Sequence, residues 1–286
     1  MSVRYDMKEL AGEGGAGVVC RGWDRVASRA VAVKRLRSTG DSLLARETRT
    51  ALRREAVALQ SLNHPNIVTL LDSGEDAAGP FTVTEYLNGE DLETSVARAV
   101  LTAEDFCRLA RQLLDGLSAI HRAGLIHRDI KPANVRLTWS AERRFEAKII
   151  DFGQAEMADG RPLVTATPGE RVWGTVQYMA PEQWEGGPAT VQTDLFALGA
   201  VFYFCLTGRP PYRGENSAEL RASLRRNERA SLEKLRPDLP AALIGWVEWM
   251  VEPRPACRAS SAEIARGVLD AFAIPGHIAR TSLMAA

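Results

Sequence analysis

The sequence predicts an α+β fold of two lobes, a small β-rich N-terminal lobe with one helix and a larger, mainly helical C-terminal lobe. Three features of the 286 residues carry that expectation. Short β-rich pieces dominate before residue 90, a single amphipathic helix interrupts them, and apolar spacing at three- and four-residue steps takes over afterwards. At ~100–200 residues per domain the length suits one large domain or two lobes around a shared cleft. No internal repeat or long low-complexity linker divides the chain.

Taken in order, Val18-Val19, Ala30 to Val33, Ile67 to Leu71 and Phe81 to Thr84 read as strands between Gly and Asp turns. Residues 45–62 read as the helix: Leu52, Val57, Ala58 and Leu59 form its apolar face, and Asn63-His64-Pro65 stops it. Beyond residue 90, Thr102-Ala103-Glu104-Asp105 offers a capped start to a helix. Its Phe106, Leu109, Ala110, Leu113, Leu114, Leu117 and Ile120 share one face. Further helices are expected around 194–207, 216–227, 239–251 and 260–272. Leu125 to Glu182, rich in short strands and loops, holds most of the chemistry.

Hydrophobic residues make up 45% and charged residues 25%, which excludes a disordered or collagen-like chain. Lys+Arg 36 against Asp+Glu 36 leaves no net charge, which argues against a nucleic-acid or membrane-surface binder. The basic residues are 31 Arg and only 5 Lys, so a lysine inside a motif carries weight. Cys20, Cys107, Cys205 and Cys257 form no C-x-x-C pair, and a zinc ribbon or thioredoxin-like site is unsupported. No signal-peptide pattern opens the chain. The most apolar run, Leu195 to Leu206, falls short of the ~20 residues of a membrane span and reads as a buried helix. The expected setting is a reducing cytoplasm.

Gly12-Glu13-Gly14-Gly15-Ala16-Gly17-Val18-Val19 fits G-x-G-x-x-G-x-V, a turn in which bare backbone N–H groups approach phosphate oxygens closely. The same letters open a dinucleotide fold, but that fold needs a helix directly after the glycines, and here strands follow. Lys34 ends the apolar run Val31-Ala32-Val33; such a lysine is ordinarily a solvated strand end, whereas a phosphate-binding one needs a carboxylate to hold it. Glu55 in the 45–62 helix is the candidate, the plain alternative being a surface partner of a neighbouring Arg worth ~0.3–0.5 kcal/mol. Ile126-His127-Arg128-Asp129-Ile130-Lys131-Pro132-Ala133-Asn134 is a loop, because Pro132 argues against a helix interior. It offers a carboxylate for a hydroxyl proton, a cation for a moving phosphate and an amide oxygen for a metal. Ile149-Ile150-Asp151-Phe152-Gly153 adds a second carboxylate at a strand end, and Mg²⁺ with phosphates present needs few protein oxygens.

Together these motifs resemble a eukaryotic-type (Hanks-type) serine/threonine protein kinase, in order from about Tyr5 to Leu269. The glycine loop and the Arg- and Ala-rich composition resemble bacterial members. The resemblance implies a bilobal protein-kinase-like fold and one kinase domain over 1–286: N-lobe about 1–85, hinge about 85–90, C-lobe about 91–272, tail 273–286. It implies ATP with Mg²⁺, Mn²⁺ being the alternative ion, and protein substrates with Ser or Thr acceptors. Gly12, Glu13, Gly14, Gly15 and Gly17 would cover the phosphates, with Val19, Ala32 and Thr84 also in the nucleotide site. Backbone groups of Glu85 and Leu87 would hold adenine, and Thr84 would be the gatekeeper. Lys34 would bind phosphates and pair with Glu55; Asp129 would be the catalytic base, and Asn134 and Asp151 the metal ligands. Gly174-Thr175-Val176-Gln177-Tyr178-Met179-Ala180-Pro181-Glu182 resembles the end of an activation segment; Lys131, together with Thr175 shortly before Ala180-Pro181-Glu182, would help hold the acceptor hydroxyl and marks Ser/Thr specificity.

Asp194, Gly199 and Arg258 match structural positions of the family, Arg258 as the partner of Glu182. Arg128 implies regulation: in relatives an activation-segment phosphate neutralises this arginine, and Thr165 and Thr167 are the candidate autophosphorylation sites. Ala16 replaces an aromatic of many relatives, and the hairpin from Thr138 to Ala147 is longer than the family minimum. His127 reads as a packing residue behind the loop. Two rival readings remain. A pseudokinase scaffold is disfavoured by the presence of Lys34, Asp129 and Asp151. A small-molecule phosphotransferase of related fold is disfavoured by the segment from Gly174 to Glu182.

Overall fold

Period-two burial in residues 29–35 organises the N-terminal part: Val31 and Val33 are fully buried, while Ala32 and Lys34, alternating with them, are half-buried on the other face. The computed structural model, which describes residues 4–14, 17–36, 43–76, 79–140, 144–160 and 176–272, places them in an antiparallel sheet. Its strands are β1 (Tyr5–Gly14), β2 (Gly17–Asp24), β3 (Arg29–Arg35), β4 (Leu70–Asp76) and β5 (Gly79–Glu85), in the order β1-β2-β3-β5-β4. Between β3 and β4 in the chain comes α1 (Leu43–Gln60), close to the 45–62 expected. Val31 and Val33 join Tyr5 and Val83 in a small core, whereas Ala58 and Leu59 of α1 belong to the larger core of the C-terminal part. The helix therefore packs into the larger core through its C-terminal end.

The C-terminal part follows as β6 (Gly89–Asp91), α2 (Leu92–Arg98), α3 (Ala103–Arg122), β7 (Leu125–Ile126), β8 (Val135–Trp139), β9 (Phe145–Ile149) and β10 (Glu156–Met157). Then come α4 (Pro181–Trp184), α5 (Val191–Thr207), α6 (Ser217–Arg225), α7 (Leu232–Leu235), α8 (Ala241–Met250) and α9 (Ala262–Phe272). The start of α3 is capped as its letters imply, Thr102 Oγ1 accepting from the Asp105 N–H at 3.2 Å. Residues 193–206 of α5 are all buried, so the most apolar run is the central pillar of the large core. It runs close to α8: a Cβ on Gly199 would lie 2.8 Å from Met250 Cβ. Gly208, at φ 71°, ends it in the left-handed conformation that suits glycine. No described helix is long and apolar enough to cross a membrane.

Two departures from the expected elements have plain causes. The strand expected at Ile67 to Leu71 begins only at Leu70, because buried Ile67 and Val68 serve the C-terminal core. Ile67 bridges Ile149, whose N–H donates to Asn66 O at 2.8 Å while its carbonyl accepts from Val68 N–H at 3.0 Å. β1 carries no readable alternation, since bulges interrupt it between Met7 and Glu9 and between Leu10 and Gly12. The helices α2, α4 and α7 are too short for a periodic signal.

Candidate active site

Strand register and one helix bring the charged residues together. Lys34 lies on β3 opposite Val19 of β2 and Thr82 of β5, and Ala32 lies opposite Thr84. The Lys34 ammonium sits 3.2 Å from Glu55 Oε2 and 2.8 Å from Asp151 Oδ1. Glu55 also accepts from Thr82 Oγ1 at 3.4 Å. Burial alone would discharge Lys34, but the two carboxylates outweigh it and raise its pKa. Burial raises Glu55, opposed by Lys34. Burial also works against the Asp151 carboxylate, yet Lys34 and the Gly153 N–H hold it down to about 2. Asp151 stands at φ 64°, a strained left-handed conformation for a non-glycine residue.

The loop between β7 and β8 supplies the rest. Lys131 Nζ donates to Asp129 Oδ2 at 2.7 Å, and Asn134 Nδ2 donates to Asp129 Oδ2 and to Asp129 O at 2.9 and 2.8 Å. Burial raises the Asp129 pKa, opposed chiefly by Lys131. Asn134 thus uses its amide nitrogen within the loop, and among the described residues nothing donates to its oxygen or to Asp151 Oδ2. Those two hard oxygens fit a magnesium-type ion that completes its shell with water and phosphate. No cluster of three His, Cys, Asp or Glu ligands exists among the described residues, so a self-sufficient protein cage is not what the chain provides.

Asp194, buried in the first turn of α5, suspends this loop. It accepts from the His127 and Arg128 N–H groups, each at 2.8 Å, and pairs with His121 Nε2 at 2.9 Å. His127 packs edge-on against Phe152, ring centroids 4.7 Å apart, and its Nδ1 accepts from the Asp129 N–H at 3.2 Å. The Arg128 guanidinium pairs with Glu156 of β10. Arg258 grips Glu182 through two bonds of 2.7 and 2.9 Å and lies over the Phe196 ring.

At the glycine turn, a Cβ on Gly17 (φ 109°) would lie 2.2 Å from the Arg35 carbonyl oxygen, so packing demands glycine there. A Cβ on Gly12 would meet no other atom of the described residues within 4 Å, so packing among them does not demand glycine there. Gly14 ends β1 opposite Gly17, and Glu13 stands opposite Val18. Gly15, Thr165, Thr167 and Thr175 lie outside the described residues. At the expected hinge, the Glu85 N–H already donates to Thr69 O at 3.1 Å, while Leu87 packs against the large core. Sequence reasoning missed the side chain of Glu85: it accepts from Lys148 Nζ at 2.8 Å and from the Thr69 N–H at 2.9 Å. The scarcity of lysine was the one available signal, since Lys148 is among only 5. His121 and Thr82 were missed too, neither having a motif of its own.

A β-sheet part and a helical part that join a half-buried lysine to two carboxylate-bearing loops define a phosphotransfer scaffold. Residues 5–268 match the protein kinase domain, and the chain belongs to that family. It is 40% identical over 220 residues to a probable serine/threonine-protein kinase of Streptomyces coelicolor, covering 74% of this chain and 31% of the relative. It is 33% identical over 278 residues to the serine/threonine-protein kinase pkn3 of Myxococcus xanthus, covering 95% and 50%. With the serine/threonine-protein kinase PrkC of Bacillus subtilis it shares 33% over 244 residues, covering 85% and 36%. The chain thus spans about a third to a half of the length of these relatives. As in the family generally, ATP and a divalent metal are implied.

Proposed function

We propose that this chain is an ATP- and Mg²⁺-dependent serine/threonine protein kinase that transfers the γ-phosphoryl group of ATP to Ser or Thr hydroxyls of protein substrates. The convergence of Lys34 on Asp151, 117 residues apart in the chain, beside a loop bearing Asp129, Lys131 and Asn134, carries this reading. Asp129 accepts the proton as the acceptor oxygen bonds to the γ-phosphorus and the bond to the β-phosphate oxygen breaks, releasing ADP. Lys131 holds the Asp129 carboxylate and faces the transferred group. Lys34, steadied by Glu55, holds the α- and β-phosphates, and the backbone at Gly12, Gly14 and Gly17 covers them. Val19, Ala32 and Thr84 line the nucleotide site, and the hinge at Glu85 and Leu87 holds adenine. Asn134 Oδ1 and Asp151 Oδ2 would hold Mg²⁺, which when bound neutralises phosphate charge.

Ser/Thr acceptors are favoured by Lys131 and Thr175 and by the names of the relatives. Autophosphorylation at Thr165 or Thr167 belongs to the proposal and is tested by phosphopeptide mapping after incubation with ATP. The balanced charge supports protein rather than nucleic acid as partner, and free thiols at all four cysteines suit a reducing, cytoplasmic setting. The deciding experiment is a labelled-ATP assay of the purified chain on a generic basic protein, beside Asp129→Ala. Transfer by the wild type that the variant lacks supports the reading; equal incorporation by both overturns it.

A further inference from the structure

We propose that Glu156 is a positioning residue that supplies, from within the chain, the negative charge facing Arg128, so that the catalytic loop is ordered without phosphate on residues 161–175. The inference rests on the kinase reading above and concerns how that site is switched.

Arg128 immediately precedes Asp129, and its backbone is held at φ 68° by the bond from its N–H to Asp194 Oδ1 at 2.8 Å. That conformation, unusual for a residue with a Cβ, sets the direction in which the side chain leaves the backbone. The side chain is only 19% exposed, and a cation so placed needs a counter-charge. Glu156 provides it: its carboxylate pairs with Arg128 Nη1, while Arg128 Nε is buried with no hydrogen-bond partner. The pairing follows from the fold. β10 runs antiparallel to β7 with Glu156 opposite Ile126, two positions before Arg128. A strand of two residues thereby delivers a carboxylate to the base of the catalytic loop.

The resemblance implies that a phosphate on Thr165 or Thr167 neutralises Arg128. With Glu156 paired to this guanidinium, such a phosphate meets an arginine already neutralised and a carboxylate of its own sign. Activity is therefore independent of that modification, and the loop's order depends on Glu156.

The test compares four proteins for kcat and for KM toward ATP. They are wild type dephosphorylated until its intact mass shows no phosphate, Thr165→Val/Thr167→Val, Glu156→Gln and Glu156→Asp. The first two are expected to keep kcat within about twofold of the phosphorylated wild type. Glu156→Gln is expected to lose about tenfold or more in kcat with KM nearly unchanged, because a misplaced base slows chemistry more than nucleotide binding. Glu156→Asp recovers most of the loss. The proposal is overturned if phosphate-free wild type loses about tenfold or more and regains it on rephosphorylation. An unchanged kcat in a Glu156→Gln protein of native melting temperature overturns it equally. If that variant does not fold, the phosphate-free arm decides alone. Failure of the kinase reading looks different: phosphorylated wild type itself then shows no transfer that Asp129→Ala abolishes.

Discussion

Asp194→Asn tests how the catalytic loop is suspended. The two carboxylate oxygens of Asp194 take three donors in a buried position: Oδ2 meets the His127 N–H at 2.8 Å and His121 Nε2 at 2.9 Å, and Oδ1 meets the Arg128 N–H at 2.8 Å. Asparagine has one oxygen to offer. If that oxygen takes the Oδ2 place, the new NH₂ group faces the Arg128 N–H. If it takes the Oδ1 place, the NH₂ group faces the His127 N–H, although the His121 ring can accept from it by carrying its proton on Nδ1. One buried backbone donor is orphaned in both arrangements, and the surviving bonds lose their charge. An orphaned donor costs about 1–3 kcal/mol and a bond to a charged group contributes about 1.5–3 kcal/mol, so the expected net loss is about 2–4 kcal/mol. For a chain of this size that lowers Tm by about 5–15 °C.

The pH dependence carries a sign. Burial pushes the Asp194 carboxyl up, but the hydrogen bond and charge of His121, helped by His127, hold it below the usual carboxylate range. A carboxyl with a lowered folded-state pKa contributes stability above its unfolded value, ~3.9, and that contribution is lost as pH falls through the folded-state value. The Tm gap between wild type and Asp194→Asn is therefore full at neutral pH and narrows below about pH 4. Calorimetry across that range, with kcat at neutral pH, reads both effects. A Tm change under about 2 °C at neutral pH, or a gap that persists in acid, refutes the reasoning.

Four further outcomes are expected. Glu182→Gln leaves the fully buried Arg258 guanidinium without its carboxylate and costs about 3–5 kcal/mol, read by chemical denaturation; an unshifted midpoint contradicts it. Lys34→Met removes the cation between Glu55 and Asp151 and lowers kcat by about 10²–10³, and activity close to wild type in steady-state assays counts against the role assigned to it. Lys131→Met removes the charge that opposes the burial-raised pKa of Asp129, so the acid limb of the pH–rate profile moves to higher pH; a stationary limb rejects Asp129 as the titrating base. Chelation with EDTA abolishes transfer and excess Mg²⁺ restores it, while restoration by Mn²⁺ alone reassigns the ion.

What could be read in the sequence was what chemistry confines to short spacings. Asp129, Lys131 and Asn134 share one loop because they act on one another within 3 Å, so their offsets survive as a pattern. Pillar α5 was legible for the opposite reason: a helix buried on every face needs no periodicity, only an uninterrupted apolar run. Contacts made by folding alone stayed hidden. Lys148 and Glu85 are 63 residues apart, and Glu156 reaches Arg128 only through the register of two very short strands. Ile67 misled because an apolar residue that bridges to another sheet has the same letters as one inside a strand. Asp194 was recognisable by resemblance, but its three donors come from two distant segments that no local pattern names.

The contacts of Asp194 belong to a wider set gathered at the first turn of α5. Consecutive residues there hold three different parts of the chain: the Gln192 carbonyl accepts from Arg258 at 2.9 Å, Thr193 Oγ1 donates to Glu182 at 3.1 Å, and Asp194 takes the loop before Asp129. Both carboxylates sit at the end of the helix where its unsatisfied N–H groups favour negative charge, which lowers the cost of burying them. The catalytic loop and Glu182 are thus each fastened to the same turn of α5. A change at positions 192–194 must therefore disturb stability and turnover together, whereas one at the Gly208 end of the same helix can lower stability while the loop keeps its anchor.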